Sequence, residues 1–185
     1  LAMKVSLTHV PHIATRIAVD LSRSGLVTMT KGLETTAKEA ETVLSNNIKK
    51  EIALEEKVKE IVNANEEQID FYLADERQLF FMIKKKLAPQ FGVVLSYEDR
   101  YSDIAHQILD VLYEEDLINY DVSENRIKNI IYDAITGSIA DSSEIESAVY
   151  EKLKSYKRNL IPGTDEYEIV YEKLYKDELV RRGMA

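Results

Sequence analysis

The sequence predicts an all-α fold: two related helical units of about four helices each in tandem, the first diverged and with longer helices. Three observations predict it. Gly and Pro are scarce, 6 and 3 in 185 residues, while helix-favouring Glu, Lys, Leu and Ile abound. Apolar residues recur at the i, i+4, i+7 spacing of a buried helical stripe. The apolar letters of HIATRIAVDLSRSGLVTMT, residues 12–30, return in DIAHQILDVLYEEDLINYD at 103–121.

The first helix takes Pro11 in its opening turn, buries Ile13, Ile17 and Leu21, and stops at Gly25. Residues 33–73 carry Leu33, Ala37, Ala40, Leu44 and Ile48, then Leu54, Val58, Ile61, Val62 and Ile69. No Gly or Pro stands between Gly32 and Pro89, so the second and third helices here are long or continuous, ahead of a last helix near 75–88. Pro89, Gly92 and the extended Val93-Val94-Leu95 mark the junction between units 3–92 and 93–185.

In the second unit Ser96 can cap a helix with Ile104, Ile108, Val111 and Leu112 on one stripe, ending near Asp116. Another begins after Asp121 or Ser123 with Ile127, Ile130, Ile131, Ala134 and Ile135, and Gly137 weakens its last turn. Ser143 and Glu146 read as a capping box opening a third helix, through Ile145, Val149 and Leu153 to about Arg158. Pro162-Gly163 breaks the chain. Thr164 then caps a fourth, with Asp165 and Glu166 at its positive end, Arg181-Arg182 at its negative end, Gly183 as its stop and Tyr167, Val170, Tyr171 and Leu174 as its stripe.

An offset of 91 sets Ile13-Ala14 on Ile104-Ala105, Ile17 on Ile108, Leu21 on Leu112, Leu26 on Leu117 and Val27 on Ile118. Asp75-Glu76 meets Asp165-Glu166 at 90, and EKVK at 56–59 matches EKLK at 151–154 only after a shift of four. Collinear matches of this kind indicate internal duplication.

The runs LSYEDRYSDIAHQILDVLYEEDLINYD and LIPGTDEYEIVYEKLYKDELVRRG, with their spacing, resemble the bacterial family known as domain of unknown function 507. The likeness covers the second unit closely. The first reads as a diverged copy that keeps HIATRIAVDLSRSGLV and has ANEEQIDFYLADE where the Pro-Gly-Thr element belongs. The resemblance implies an all-helical, cytoplasmic bacterial protein and brings no reaction, ligand or catalytic residue with it.

Composition narrows the chemistry. With no Cys there is no disulfide, thiolate metal site or Cys nucleophile. No run reaches the about 18–20 apolar residues that a membrane span needs, and no signal peptide opens the chain. Met3 reads as the natural start, with Leu1 and Ala2 added ahead of it, and a cytoplasmic protein is expected. Residues 1–92 hold 13 basic and 13 acidic side chains, but 93–185 hold 11 and 20, so all of the net charge of −9 lies in the second unit. That acidity disfavours binding to a phosphate backbone.

His9 with His12, and Asp103 with His106, share helix faces three residues apart, but a metal needs three or four convergent ligands, so no metal site or cofactor is predicted. No Gly-x-Ser-x-Gly, phosphate loop or HExxH motif is present, and no catalytic residue is assigned. Lys84-Lys85-Lys86 and Arg181-Arg182 fall at helix C-termini, where the dipole favours cations. Lys49, Lys50, Glu51, Glu55 and Glu56 read as an ordinary solvated face.

Of 11 Tyr, only Tyr72 lies in the first unit. Tyr offers a large rigid surface with a polar tip, so Tyr97, Tyr101, Tyr113, Tyr167 and Tyr175 are the candidate interface residues, with Tyr171 nearer the core. The long first-unit helix offers a second surface, for self-association. The expected function is a non-enzymatic interaction or scaffold protein with a protein partner or a second copy, apart from membranes. The alternative is a nucleic-acid binder or enzyme with a site between the two copies.

Overall fold

The computed structural model describes residues 4–66, 75–156 and 158–184, and its fold is all-α. Among the described residues run six α-helices: α1 (Val10–Arg23), α2 (Gly32–Ala64), α3 (Glu76–Leu87), α4 (Tyr97–Glu114), α5 (Glu124–Lys154) and α6 (Asp165–Arg181). Two-residue strands, β1 (Thr28–Met29) and β2 (Ile118–Asn119), follow α1 and α4. Met3 and Ile69 lie outside the described residues.

Local chemistry sets most helix ends. Pro11 sits in the first turn of α1, and Gly25, at φ 70°, takes the left-handed conformation that ends it. Asp75 caps α3 by accepting from the Arg77 N–H at 2.9 Å, and Thr164 caps α6 by accepting from the Tyr167 N–H at 3.3 Å. Ser96 occupies the N-cap of α4 without a side-chain cap bond, its carbonyl taking the Arg100 N–H.

The α2 segment is a single helix of 33 residues. Its buried positions, Thr36, Ala40, Leu44, Ile48, Glu51, Leu54, Val58 and Val62, step by three or four throughout, so no turn breaks the stripe.

The unbroken α2 agrees with the expected long or continuous helix, whereas the second half of the chain departs from expectation. A single α5 of 31 residues runs through Gly137 and Ser143, and the capping box Ser143–Glu146 does not start a helix. The stripe explains why: Ile127, Ile131, Ala134, Ile135, Ile139, Ile145 and Val149 continue across the expected break. A Cβ at Gly137 would stand 2.9 Å from the Arg16 guanidinium, the movable end of a flexible side chain.

Helices α1 and α4 each pack on both α2 and α5, and their apolar faces close one central core around Ile17, Leu44, Ile108 and Ile135. Both halves of the chain therefore contribute to the same core. Beyond Ile48, α2 carries α3 on a second cluster of Leu54, Val58, Val62 and Ala88. Beyond Ile139, α5 carries α6 on a third, of Ile145, Val149, Leu174, Tyr175 and Leu179. The antiparallel β1–β2 pair, Thr28 opposite Asn119 and Met29 opposite Ile118, ties the loops at one end.

Burial repeats at a single spacing. Val10, Ile13, Ala14, Ile17, Ala18 and Leu21 are buried in α1, and so in α4 are Tyr101, Ile104, Ala105, Ile108, Leu109 and Leu112, each 91 positions on. In α2 and α5 the same spacing links Ala40 to Ile131, Leu44 to Ile135, Ile48 to Ile139, Leu54 to Ile145 and Val58 to Val149. The four-residue shift that matched EKVK with EKLK is therefore not used by the packing.

Candidate functional site

Each long helix passes from the central core to its satellite cluster through a joint where the apolar stripe is interrupted. On α2 the joint is Glu51, between Ile48 and Leu54, with its side chain 4% exposed. Arg100 of α4, 3% exposed, pairs with Glu51 through its guanidinium and donates from Nε to Asn47 Oδ1 at 2.8 Å. Lys4 reaches Glu55 at 2.7 Å and Glu51 at 3.5 Å, and Lys84 donates to Glu55 at 2.9 Å. The solvated-face expectation for Glu51 and Glu55 is thus corrected: Glu51 stands at stripe spacing and is buried, and Glu55, held below the usual carboxylate range by Lys4 and Lys84 against the opposing effect of burial, is half-buried beside it. Lys84 is likewise a buried partner, unlike the exposed Lys85 and Lys86.

The joint on α5 holds different residues at the same spacing. His9, Ser138, Ser142, Glu146 and Tyr175 stand 91 positions after or before Arg100, Asn47, Glu51, Glu55 and Lys84. Here the side chains leave a small cavity of about 20 Å³, bounded by α1, α5 and α6. Arg16 bridges it to α5, donating to Asp141 at 3.2 Å and Ser138 at 3.4 Å. The Tyr175 ring stacks on His9 at 4.8 Å and on His12 at 4.9 Å between centroids. His9 Nε2 lies 3.4 Å from Glu146, and His12 Nε2 lies 2.8 Å from Glu172 but out of line for a hydrogen bond. Burial lowers the His12 pKa, and the Glu172 charge offsets that only in part.

From Tyr175 a ladder of rings climbs α6 to the surface. Tyr171 lies 6.1 Å from Tyr175, Tyr167 lies 6.3 Å from Tyr171, and Tyr150 of α5 leans on Tyr171 at 5.9 Å. The i, i+4, i+8 spacing puts the three α6 rings on one face. Tyr150 and Tyr167 stand between two open grooves. One, of about 240 Å³, is walled by Glu146, Glu168, Glu172 and Tyr171; the other, of about 530 Å³, by Leu153, Lys154, Arg158 and Leu160.

The electrostatics of the first groove are negative. The Tyr171 hydroxyl is pushed up by burial and then by Glu146; Tyr175 is pushed up to about 12 by burial, then Glu146 and Glu172; Tyr167 rises through burial, Tyr150 and Glu168. All three phenols stay protonated near neutrality. Beyond the groove, Glu178 gathers Arg181, Arg182 and Lys152, so Arg181-Arg182 does more than meet the helix dipole.

The predicted interface residues do not form one surface. Tyr101 and Tyr175 are buried, 1% and 3% exposed, and serve the chain's own packing. Tyr97 is half-buried and stacks on Tyr101 at 6.0 Å; Tyr113, 55% exposed, leans on Tyr120 at the opposite end of α4. Of the five, Tyr167 and Tyr175 belong to the ladder, Tyr175 at its buried end and Tyr167 half-buried toward the surface, where Tyr171 and Tyr150 join it. Tyr150 was legible as a ring one residue past Val149, at the edge of the stripe. His106 turns to Asp110 at 3.6 Å and Asp103 accepts from Gln107, away from His9 and His12. Among the described residues no three His, Asp or Glu converge as a metal site, and no helix is long and apolar enough to cross a membrane.

Comparison with curated proteins gives no match. The family model described as protein of unknown function (DUF507) matches residues 3–184 in one span that takes in both halves, and the chain belongs to this family.

Proposed function

We propose that this member of the DUF507 family is a non-enzymatic interaction protein that binds a protein partner across the tyrosine face of α5 and α6. The observation that carries the reading is the ring ladder itself, buried at Tyr175 and open at Tyr150, which is 47% exposed between two grooves. A rigid ring row anchored in the core offers contact area at little cost in side-chain entropy, the property that enriches Tyr at interfaces. The bacterial, cytoplasmic part of the reading rests on the sequence resemblance.

Two related units, residues 3–92 and 93–185, belong to the same reading. What supports them is the 91-residue spacing of buried positions in α1 and α4 and in α2 and α5. The joints differ: an ion-paired cluster closes the first, and the second holds a small cavity against Tyr175, the buried end of the tyrosine ladder. Division of labour follows, with the first unit bracing the fold and the second carrying the contact.

The test is quantitative capture from native extract with the wild-type chain, a Tyr150→Ser/Tyr167→Ser double variant and a Tyr113→Ser control. A stoichiometric protein retained by wild type and control but lost from the double variant is the expected result. Equal recovery by all three sinks the reading.

A further inference from the structure

The groove beside Tyr171 has an excess of one sign of charge. Glu146, Glu168 and Glu172 wall it, 37% of the Glu146 side chain and 42% of the Glu172 side chain being exposed. Among the described residues Glu168 has no ion-pair partner, and the only basic side chain lining the groove is His9. The groove across Tyr150 and Tyr167 differs: its cations are already matched, Lys154 by Glu151 at 3.0 Å and Arg158 by Glu166 at 2.7 Å. Glu146 and Glu172 face only His9 and His12, whereas Glu168 faces no cation among the described residues, so the charge excess lies on the carboxylate side.

We propose that the groove formed by Glu146, Glu168, Glu172, Tyr150, Tyr167 and Tyr171 receives a Lys or Arg side chain presented by the partner protein. This rests on the reading of the tyrosine face as a docking surface and names what docks there. Carboxylates attract the cationic head, and ring faces attract it through their quadrupole while packing its methylenes. A volume of about 240 Å³ accepts one long side chain and is far short of a folded surface. A phosphate group would meet three carboxylates, which disfavours a nucleic acid here. His12 Nε2 stands 2.8 Å from Glu172 and His9 Nε2 3.4 Å from Glu146, so the carboxylate with no ion-pair partner, and the one that meets an incoming cation first, is Glu168.

The absence of Trp makes the 11 Tyr the only strong ultraviolet fluorophores, and ring resonances can be followed one by one. The probe is an acetylated, amidated pentapeptide with a central arginine between Gly and Ser, compared with the same peptide carrying citrulline, which keeps the shape and removes the charge. Titrated to millimolar against the full chain, the arginine peptide is expected to shift the Tyr150, Tyr167 and Tyr171 ring signals with an affinity at least about threefold above that of the citrulline peptide, the worth of roughly one exposed charge contact. In Glu168→Gln/Glu172→Gln that preference disappears while the ring signals keep their native dispersion. Equal shifts with both peptides overturn the cation and leave the face a docking surface. No shift with either overturns this inference while the capture experiment still decides the broader one.

Discussion

Thr28 lies opposite Asn119 in the β1–β2 pair, and these two residues are themselves 91 positions apart. Met29 opposite Ile118 completes the ladder, so antiparallel pairing brings residues of the two halves together at the very spacing that relates their buried positions. The joints on α2 and α5 are offset by the same 91 residues, and their differing residues become informative.

Removing one member of the Arg100–Glu51 pair leaves the other charged inside the protein. Arg100→Met or Glu51→Gln is expected to cost about 3–5 kcal/mol in urea unfolding, because both side chains are almost fully buried. Glu51→Leu/Arg100→Met is expected to recover more than half of that loss, since no charge is then stranded. A double variant as unstable as the sum of the singles contradicts this account.

Gly137 lies mid-helix with an ordinary helical backbone and the Arg16 guanidinium above it. Gly137→Ala restores helix propensity worth about 0.5–1 kcal/mol and displaces only the end of a flexible, partly exposed side chain. A small net stabilisation in thermal unfolding is expected, accompanied by weaker coupling of Arg16 to Asp141. A loss of more than about 1 kcal/mol would mean that the bridge outweighs the helix.

Glu178 is covered by its own cations, its side chain 1% exposed while Arg181 remains 64% exposed. Hydrogen bonds from Arg181, then Arg182 and Lys152, hold its carboxyl well below the usual carboxylate range. A depressed folded pKa stabilises above the unfolded pKa and is lost as pH falls. Glu178→Gln is expected to cost about 1–2 kcal/mol at pH 7, reduced by screening near the surface, and to flatten the decline in stability below about pH 4.5.

His12 works in the opposite chemical sense with the same sign. Its folded pKa is lowered, chiefly by burial, so the unfolded chain binds its proton more readily. Stability is full above about pH 6.5 and falls as the medium is acidified through that value. In a His12→Gln variant the urea midpoint is expected to change less between pH 7.5 and pH 5.5 than in the wild type; equal slopes would remove His12 as the cause.

Some of the site could be read in the letters. Glu51 stands at stripe spacing between Ile48 and Leu54, and Tyr167, Tyr171 and Tyr175 share a face by count alone. Arg100 and Lys84 could not be read so, because what buries them is a carboxylate on α2 contributed from 49 and 29 residues away. The continuous α5 was missed for a similar reason: a capping box is a local preference worth about 1 kcal/mol, and burial of Ile139, Ile145 and Val149 on two successive clusters outweighs it.

By itself, the sequence determined the all-α class, the breaks at Gly25, Gly92 and Pro162-Gly163, the cap at Thr164, and the 91-residue recurrence of apolar positions. These depend on backbone conformation and on the period of the helix, which neighbours in the chain impose. Only tertiary structure decided that both halves share one core, that Tyr101 and Tyr175 are inside while Tyr150 is outside, and that joints 91 residues apart hold an ion-paired cluster in one half and a small cavity in the other. Those outcomes depend on which distant side chain fills the space beside each helix, a property of packing that no local period encodes.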